Sequence, residues 1–368
     1  MIKIDEIYHY LFWPYIQKHV PATRMFYCDP FGSSRPENLV KVAANGFELN
    51  YTYFHDQEPI YLDMHAPLFD DLQIRNRDLN HRIGPRHRAM IHSEYQSDNV
   101  RELCERYRLK DYYYFFHGWA ALDWFRGYDR TWLITDPNKR DITHSFFSAN
   151  RIVGGRREHR VRLLLKLLEH NVHNACISFP DQCPVEGQSV LDLAHALGGD
   201  QARELVRQAQ LPWNFSGETG HPMKSYCLTQ FHETASSLAY VITETVFSGT
   251  RQHLTEKTFK PICLKMPFVM VSCAGSLEYL RRYGFHTFHD VWDESYDSEV
   301  DDAVRLSKIS QLLCWMDSLD HQQLNDMYQR CLPVIEHNHR HFYGGGFERV
   351  LWDEVSCMLE KMRRDFND

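Results

Sequence analysis

AYVITETVFSGTRQHLTEKTFKPICLKMPFVMVSCAGSLEYLRRYGFHTF, residues 239–288, alternates the signals of strand and helix. Tyr240, Ile242 and Glu244 recur at period two, which predicts a strand with an acid near its carboxyl end. A polar loop follows. Thr255 has the side chain of an N-cap, and Glu256 and Lys257 fall in the first helical turn behind it. Pro267 to Val271 is an unbroken apolar run, as in a strand buried on both faces. Gly275 to Tyr283 predicts the next helix and Gly284 its stop. This order predicts an α/β fold with a parallel, doubly wound sheet. Ligands of such sheets lie beyond the carboxyl ends of the strands. A helix start offers N–H groups to an anion, and Lys257 adds a full charge. Glu244 and Glu256 suit ribose hydroxyls as acceptors. The stretch therefore predicts a nucleotide diphosphate site.

Upstream the same logic repeats. His144–Ala149 predicts a strand, and Asn150-Arg151 with Gly154-Gly155 a loop where backbone approaches a ligand. Glu158–His170 predicts a helix buried through Val161, Leu164, Leu165 and Leu168, and Asn174–Phe179 the next strand. Basic residues opening a helix oppose its dipole, and a bound anion removes that conflict. An arginine there offers a planar guanidinium fork that matches phosphate oxygens.

The first half is less regular. Leu39–Ala44, Tyr51–Phe54, Tyr112–Phe116 and Trp132–Thr135 predict short strands. Asp98 is read as the cap of a helix running to Arg108. His55-Asp56-Gln57-Glu58-Pro59 places two carboxylates and an imidazole at a strand's carboxyl end. Asp56 or Glu58 is the expected general base, with a surface turn satisfying local backbone donors as the plainer reading. Asp70 to Arg88 is a polar loop. Asp136-Pro137-Asn138-Lys139 predicts a turn and the domain boundary. Ser189–Leu197, Asp200–Ala209, Leu306–Trp315 and Gln322–His339 read as helices. The alternation of His337, His339 and His341 suits a strand better. Phe347–Phe366 is an amphipathic helix. The expected domains are 1–137, 138–343 and a terminal helix at 344–368.

The chain has 368 residues, enough for two ordinary domains, and a net charge of −8, which gives no global attraction to nucleic acid. Within it Lys139, Arg140, Arg151, Arg156, Arg157, Arg160, Arg162 and Lys166 form a basic stretch, and Asp290 to Asp302 an acidic one. Charges interrupt every apolar run, so no membrane span is expected. The ten cysteines contain no Cys-x-x-Cys pair, which suits reduced thiols in a cytoplasmic protein. No zinc pattern and no Asp-x-Asp pair is present, so neither a metal nor another cofactor is expected. Glycine-rich nucleotide fingerprints are absent too.

Glu244 followed by Thr255-Glu256-Lys257-Thr258-Phe259 resembles the donor motif of fucosyltransferase-type glycosyltransferases. There an acid ends a strand and Thr-Glu-Lys opens a helix. NRIVGGRREHRVRLLLKLL resembles the segment in which an arginine of that family holds the donor phosphates, and Arg160 is the matching position. Glu58-Pro59 is similar to its first-domain Glu and Pro. The loop before Thr255 is longer here, and Thr245 stands where the family has Asn. The resemblance implies a GT-B fold, with two Rossmann-like domains facing across a cleft, and inverting, metal-independent transfer from a nucleotide-sugar. Asn150, Arg151, Arg160, Glu244, Thr255, Glu256 and Lys257 would bind the donor, and Asp56 or Glu58 would deprotonate the acceptor. The terminal helix would return to the first domain.

The NR…HR helix, the Asp-Gln-Glu-Pro turn and the Thr-Glu-Lys helix together also resemble glycosyltransferase-like proteins of tailed bacteriophages. That implies action in the host cytoplasm on a hydroxymethylated pyrimidine of DNA, with Arg82, Arg86, Arg88, Lys139 and Arg140 available for its phosphates. A cell-surface glycan is the competing acceptor, and a non-catalytic nucleotide-sugar-binding module the competing function.

Overall fold

Every residue of Ser237–Thr243 is buried, as expected of an apolar run in a sheet covered on both faces. It is one of eight strands assigned in a computed structural model that describes residues 3–19, 23–27, 50–67, 69–70, 88–215 and 227–367. The expected strand Leu39–Ala44, most of the polar loop before Arg88, and Arg82 and Arg86 lie outside the described residues. The strands are β1 Thr23–Tyr27, β2 Asn50–His55, β3 Arg88–His92, β4 Lys110–Tyr113, β5 His144–Ala149, β6 Cys176–Ser178, β7 Ser237–Thr243 and β8 Phe268–Val271. They form two parallel sheets, ordered β1-β2-β3-β4 and β6-β5-β7-β8.

The chain divides into two compact units. Unit 1 is Met1–Asp123 with Arg251–His253 and Glu348–Asp368, and unit 2 is Trp124–Thr250 with Leu254–Phe347. The division therefore falls at Asp123, not at Pro137. The turn at Asp136 forms, but it packs within unit 2, where Arg140 is buried and donates to the Leu264 carbonyl.

In unit 1 the β3–β4 crossover is the helix Asp98–Tyr107. Its cap is Ser97, whose hydroxyl accepts from the Val100 N–H at 3.3 Å, and not Asp98. Val100, Leu103, Cys104 and Tyr107 pack with Tyr53, Ile60 and Met90. The amino-terminal segment is helical from Ile4 to His19, with a π-helical stretch at Ile7–Phe12. The helix Gly346–Asn367 contributes its residues from Glu348 onward to this unit: Glu354 accepts from the Phe115 N–H at 2.7 Å, and Asp365 from the Tyr112 hydroxyl at 2.9 Å.

In unit 2 the helix His159–Glu169 buries Val161, Leu164 and Leu165 against Val190, Ala194 and Val206 of the helix Val190–Ala209. The two helices expected over 189–209 are joined across a kink at Gly198 and Gly199. Residues 132–135 form no strand, and Trp132 is 87% exposed. The histidines at 337, 339 and 341 lie on the helix His321–Tyr343 rather than a strand. His337 and His341, four apart and hence on one helical face, meet the carbonyls of Gly284 at 2.9 Å and Tyr283 at 2.7 Å. Gly284 follows the helix Ser276–Arg282 at φ +88°, and a Cβ there would lie 2.7 Å from His341 Nε2.

Candidate functional site

β6 lies on one side of β5 and β7 on the other, so connections leave the sheet in opposite directions at β5 and β7. Crevices for ligands open at such reversals, beyond the strand ends. Asn150 directly follows β5, and Glu244 directly follows β7.

Arg160 ties the two strand ends together. It is buried, and its terminal nitrogens donate to the carbonyls of Ile152 at 2.8 Å, Thr243 at 2.6 Å and Glu244 at 3.2 Å. Burial, with repulsion from Arg157, lowers its pKa to about 10, so it stays charged at neutral pH. Thr243 adds a second tie, donating its hydroxyl to Asn150 Oδ1 at 3.0 Å. His159 Nε2 stands 3.2 Å from the same Glu244 carbonyl, and its ring stacks on Phe247 at 5.0 Å. Burial and the neighbouring Arg160 hold His159 well below the ordinary histidine range, so the ring is neutral.

The Glu244 carboxylate is directed at the next helix, Glu256–Cys263. It accepts from the Thr255 N–H at 3.0 Å, the Thr255 hydroxyl at 2.7 Å, the Thr258 hydroxyl at 2.7 Å and the Thr245 N–H at 3.3 Å. Its acceptor capacity is thus spent on the protein in this structure. Thr255 is the N-cap, accepting from the Lys257 N–H at 3.4 Å. The Lys257 ammonium is 2.9 Å from the Thr255 hydroxyl, 3.4 Å from Glu256 Oε1 and 4.0 Å from Glu244 Oε2. Its side chain is 30% exposed, whereas Glu244, Thr255 and Glu256 are buried. Arg151 and Arg157 are half-buried in the loop after β5. A Cβ on Gly154 would lie 2.8 Å from Gln188 Oε1, so the close approach at this glycine is to a side chain of the protein itself.

Sequence reading missed Arg305. It is buried, lies over the Phe247 ring at 4.4 Å and donates to the carbonyls of Ser272 at 3.0 Å and Phe247. The ring of Phe247 is thus held by His159 and Arg305 together. A cavity of about 770 Å³, lined in part by Thr250, Gly275, Glu278, Arg281, Asp293 and Asp297, opens past the end of β8. It is large enough for a small ligand.

In unit 1, Asp56 and Glu58 follow β2. Asp56 is 1% exposed. Tyr8, from the π-helical stretch, donates to both its oxygens at 3.0 Å, and Tyr114 donates to Oδ2. Burial raises the Asp56 pKa to about 6, although both phenols pull it down. Glu58 is half-buried.

Of the residues named for nucleic-acid phosphates, Arg140 is buried, and Arg88 is half-buried, 3.5 Å from the Tyr107 carbonyl. Among the described residues no group of three or more His, Cys, Asp or Glu is arranged to hold a metal, and no helix is long and apolar enough to cross a membrane. Comparisons with protein families, with curated proteins and with solved structures found no match to this chain.

Proposed function

We propose that this chain is a glycosyltransferase that moves a sugar from a nucleoside diphosphate sugar to an acceptor hydroxyl. The observation that carries the reading is the β5–β7 reversal. Its loops are locked by Arg160 and Glu244, and an ammonium, Lys257, stands partly exposed at a helix start. Helix dipole, Lys257 and the buried charge of Arg160 together suit a diphosphate. In this reading Arg160 acts on the phosphates through its field, since its terminal nitrogens serve backbone carbonyls. Glu256 and the cavity past β8 would receive the ribose or the sugar. The two α/β units are then the two Rossmann-like domains of a GT-B enzyme.

Glu58 is the better candidate base, because Asp56 is enclosed by two phenols. The acceptor oxygen gives its proton to the Glu58 carboxylate and forms a bond to the anomeric carbon. The bond from that carbon to the donor diphosphate breaks, and its electron pair leaves with the nucleoside diphosphate. Attack opposite the leaving group inverts the anomeric centre.

The test is a panel of UDP-, GDP- and CMP-sugars read by thermal shift and product analysis. A native-state ligand raises the melting point. One donor should bind and be turned over, with turnover lost in Glu58→Gln and donor binding kept. If no member of the panel raises the melting point, the reading fails. Binding without turnover would leave a nucleotide-sugar-binding module instead.

A further inference from the structure

The turn after β2, Asp56-Gln57-Glu58-Pro59-Ile60, is gripped on both sides of Glu58. Tyr8 and Tyr114 hold the Asp56 carboxylate. His117 Nε2 lies 3.0 Å from the Gln57 carbonyl. The Ile60 N–H donates to Glu94 Oε2 at 2.7 Å. The Ile60 carbonyl accepts from Asn99 Nδ2 at 2.7 Å and from Arg251 Nη1 at 2.6 Å. Residues 56, 57 and 60 are therefore fixed by side chains distant in sequence, while Glu58 stays half-buried. Clamping the neighbours of one carboxylate fixes where that carboxylate points.

Arg251 has the most specific place in this clamp. Between Trp124 and Phe347, only Arg251–His253 belongs to unit 1. These residues sit in the loop between Glu244 and Thr255. Arg251 Nη1 also stands 2.9 Å from Glu94 Oε1, and the guanidinium lies over the Tyr61 ring at 4.8 Å. One cation thus holds the Ile60 carbonyl and the acid that holds the Ile60 N–H. Gln252 pairs with Tyr95 through backbone bonds of 2.8 and 2.9 Å. The His253 ring packs on His117 at 5.2 Å. Three consecutive residues therefore reach the supports on both flanks of Glu58.

We infer that Arg251 is a positioning residue for Glu58, supplied by the loop between Glu244 and Thr255; this rests on the reading of Glu58 as the base. Arg251 removes the penalty of a buried, unpaired Glu94 and sets the exit of the turn in one contact. Lysine keeps the charge but loses the planar stacking on Tyr61, so it restores the clamp only in part.

The experiment combines amide hydrogen exchange over residues 56–60 with transfer kinetics in wild type, Arg251→Ala and Arg251→Lys. Exchange at Ile60 should rise about tenfold in Arg251→Ala, because its local opening becomes easier. kcat should fall about 10- to 100-fold with the donor KM within about twofold, and Arg251→Lys should recover part of both. Unchanged exchange in Arg251→Ala overturns the inference, as does raised exchange with unchanged kcat. Should Arg251→Ala fail to fold, Arg251→Lys and Glu94→Gln read the same quantities. A wild type that transfers no sugar from any donor overturns the glycosyltransferase reading. An active wild type with an equally active Arg251→Ala overturns the Arg251 assignment alone.

Discussion

The carboxylate of Glu244 takes both the backbone N–H and the hydroxyl of Thr255, at 3.0 and 2.7 Å. An acid at the end of one strand thereby braces the N-cap of the helix that precedes the next. Glu244→Ala would leave three buried donors, the Thr255 N–H and the hydroxyls of Thr255 and Thr258, without their acceptor. Each orphaned group costs roughly 1–3 kcal/mol, so a loss of at least about 3 kcal/mol in total is expected. Glu244→Gln keeps one acceptor oxygen and should cost about half as much. Urea unfolding at neutral pH measures both. A loss under about 0.5 kcal/mol for the alanine variant would mean that the cap does not hold the helix.

Lys257 differs from its buried neighbours in having an exposed share. It donates to the Thr255 hydroxyl at 2.9 Å and faces the buried carboxylates of Glu256 and Glu244 at 3.4 and 4.0 Å. Lys257→Met should therefore lower the melting point, by leaving those acids without a cation. It should weaken nucleoside diphosphate binding by about 10- to 100-fold, the loss of one charge-assisted contact to phosphate. Titration calorimetry with the free diphosphates decides it. Equal affinity in variant and wild type removes Lys257 from the site.

Arg160 separates a structural use from a direct ligand contact. Its three carbonyl partners predict that Arg160→Lys destabilises by about 2–3 kcal/mol, because an ammonium cannot reproduce the fork. Affinity for a diphosphate should fall in proportion to the disorder of the loops. A variant as stable as wild type that binds no diphosphate would show instead that the guanidinium turns to the ligand.

How much of this was legible depends on how far apart the partners lie in sequence. β5, the Thr255 cap and the buried β8 follow from local alternation and capping among residues a few positions apart. The histidines at 337–341 alternate by two, as in a strand, but His337 and His341 are also four apart, and the helical spacing is the one the fold uses. What each charged side chain binds was not legible. Arg160 meets carbonyls of residues 243 and 244, Tyr8 meets Asp56, and Arg251 meets Glu94, all across long stretches of chain. Such contacts leave no period in the sequence. Arg305 carried no local signal either, since an arginine four residues from an N-cap reads as a solvated helix face.

Asp56 gives a pH signature with a definite sign. Burial lifts its pKa from 3.8 to about 6, so between these values the folded chain holds a proton that the unfolded chain has released. Stability from this group is fully present below about pH 4 and is lost as pH rises through about 6, by roughly 3 kcal/mol at most. Asp56→Asn keeps an oxygen for the phenols and cannot ionise. The difference in stability, variant minus wild type, should therefore shift in the variant's favour between pH 4 and pH 7 and be flat above it. His55 and His159, both held well below the histidine range by burial, act in the other direction. They destabilise the fold as pH falls below the unfolded histidine value of about 6.5, equally in both proteins, so the difference cancels them. Urea midpoints taken at intervals across this range give the curve. Parallel profiles for the two proteins would mean that Asp56 titrates in the folded chain as it does in the unfolded one, and that the two phenols fully offset the cost of its burial.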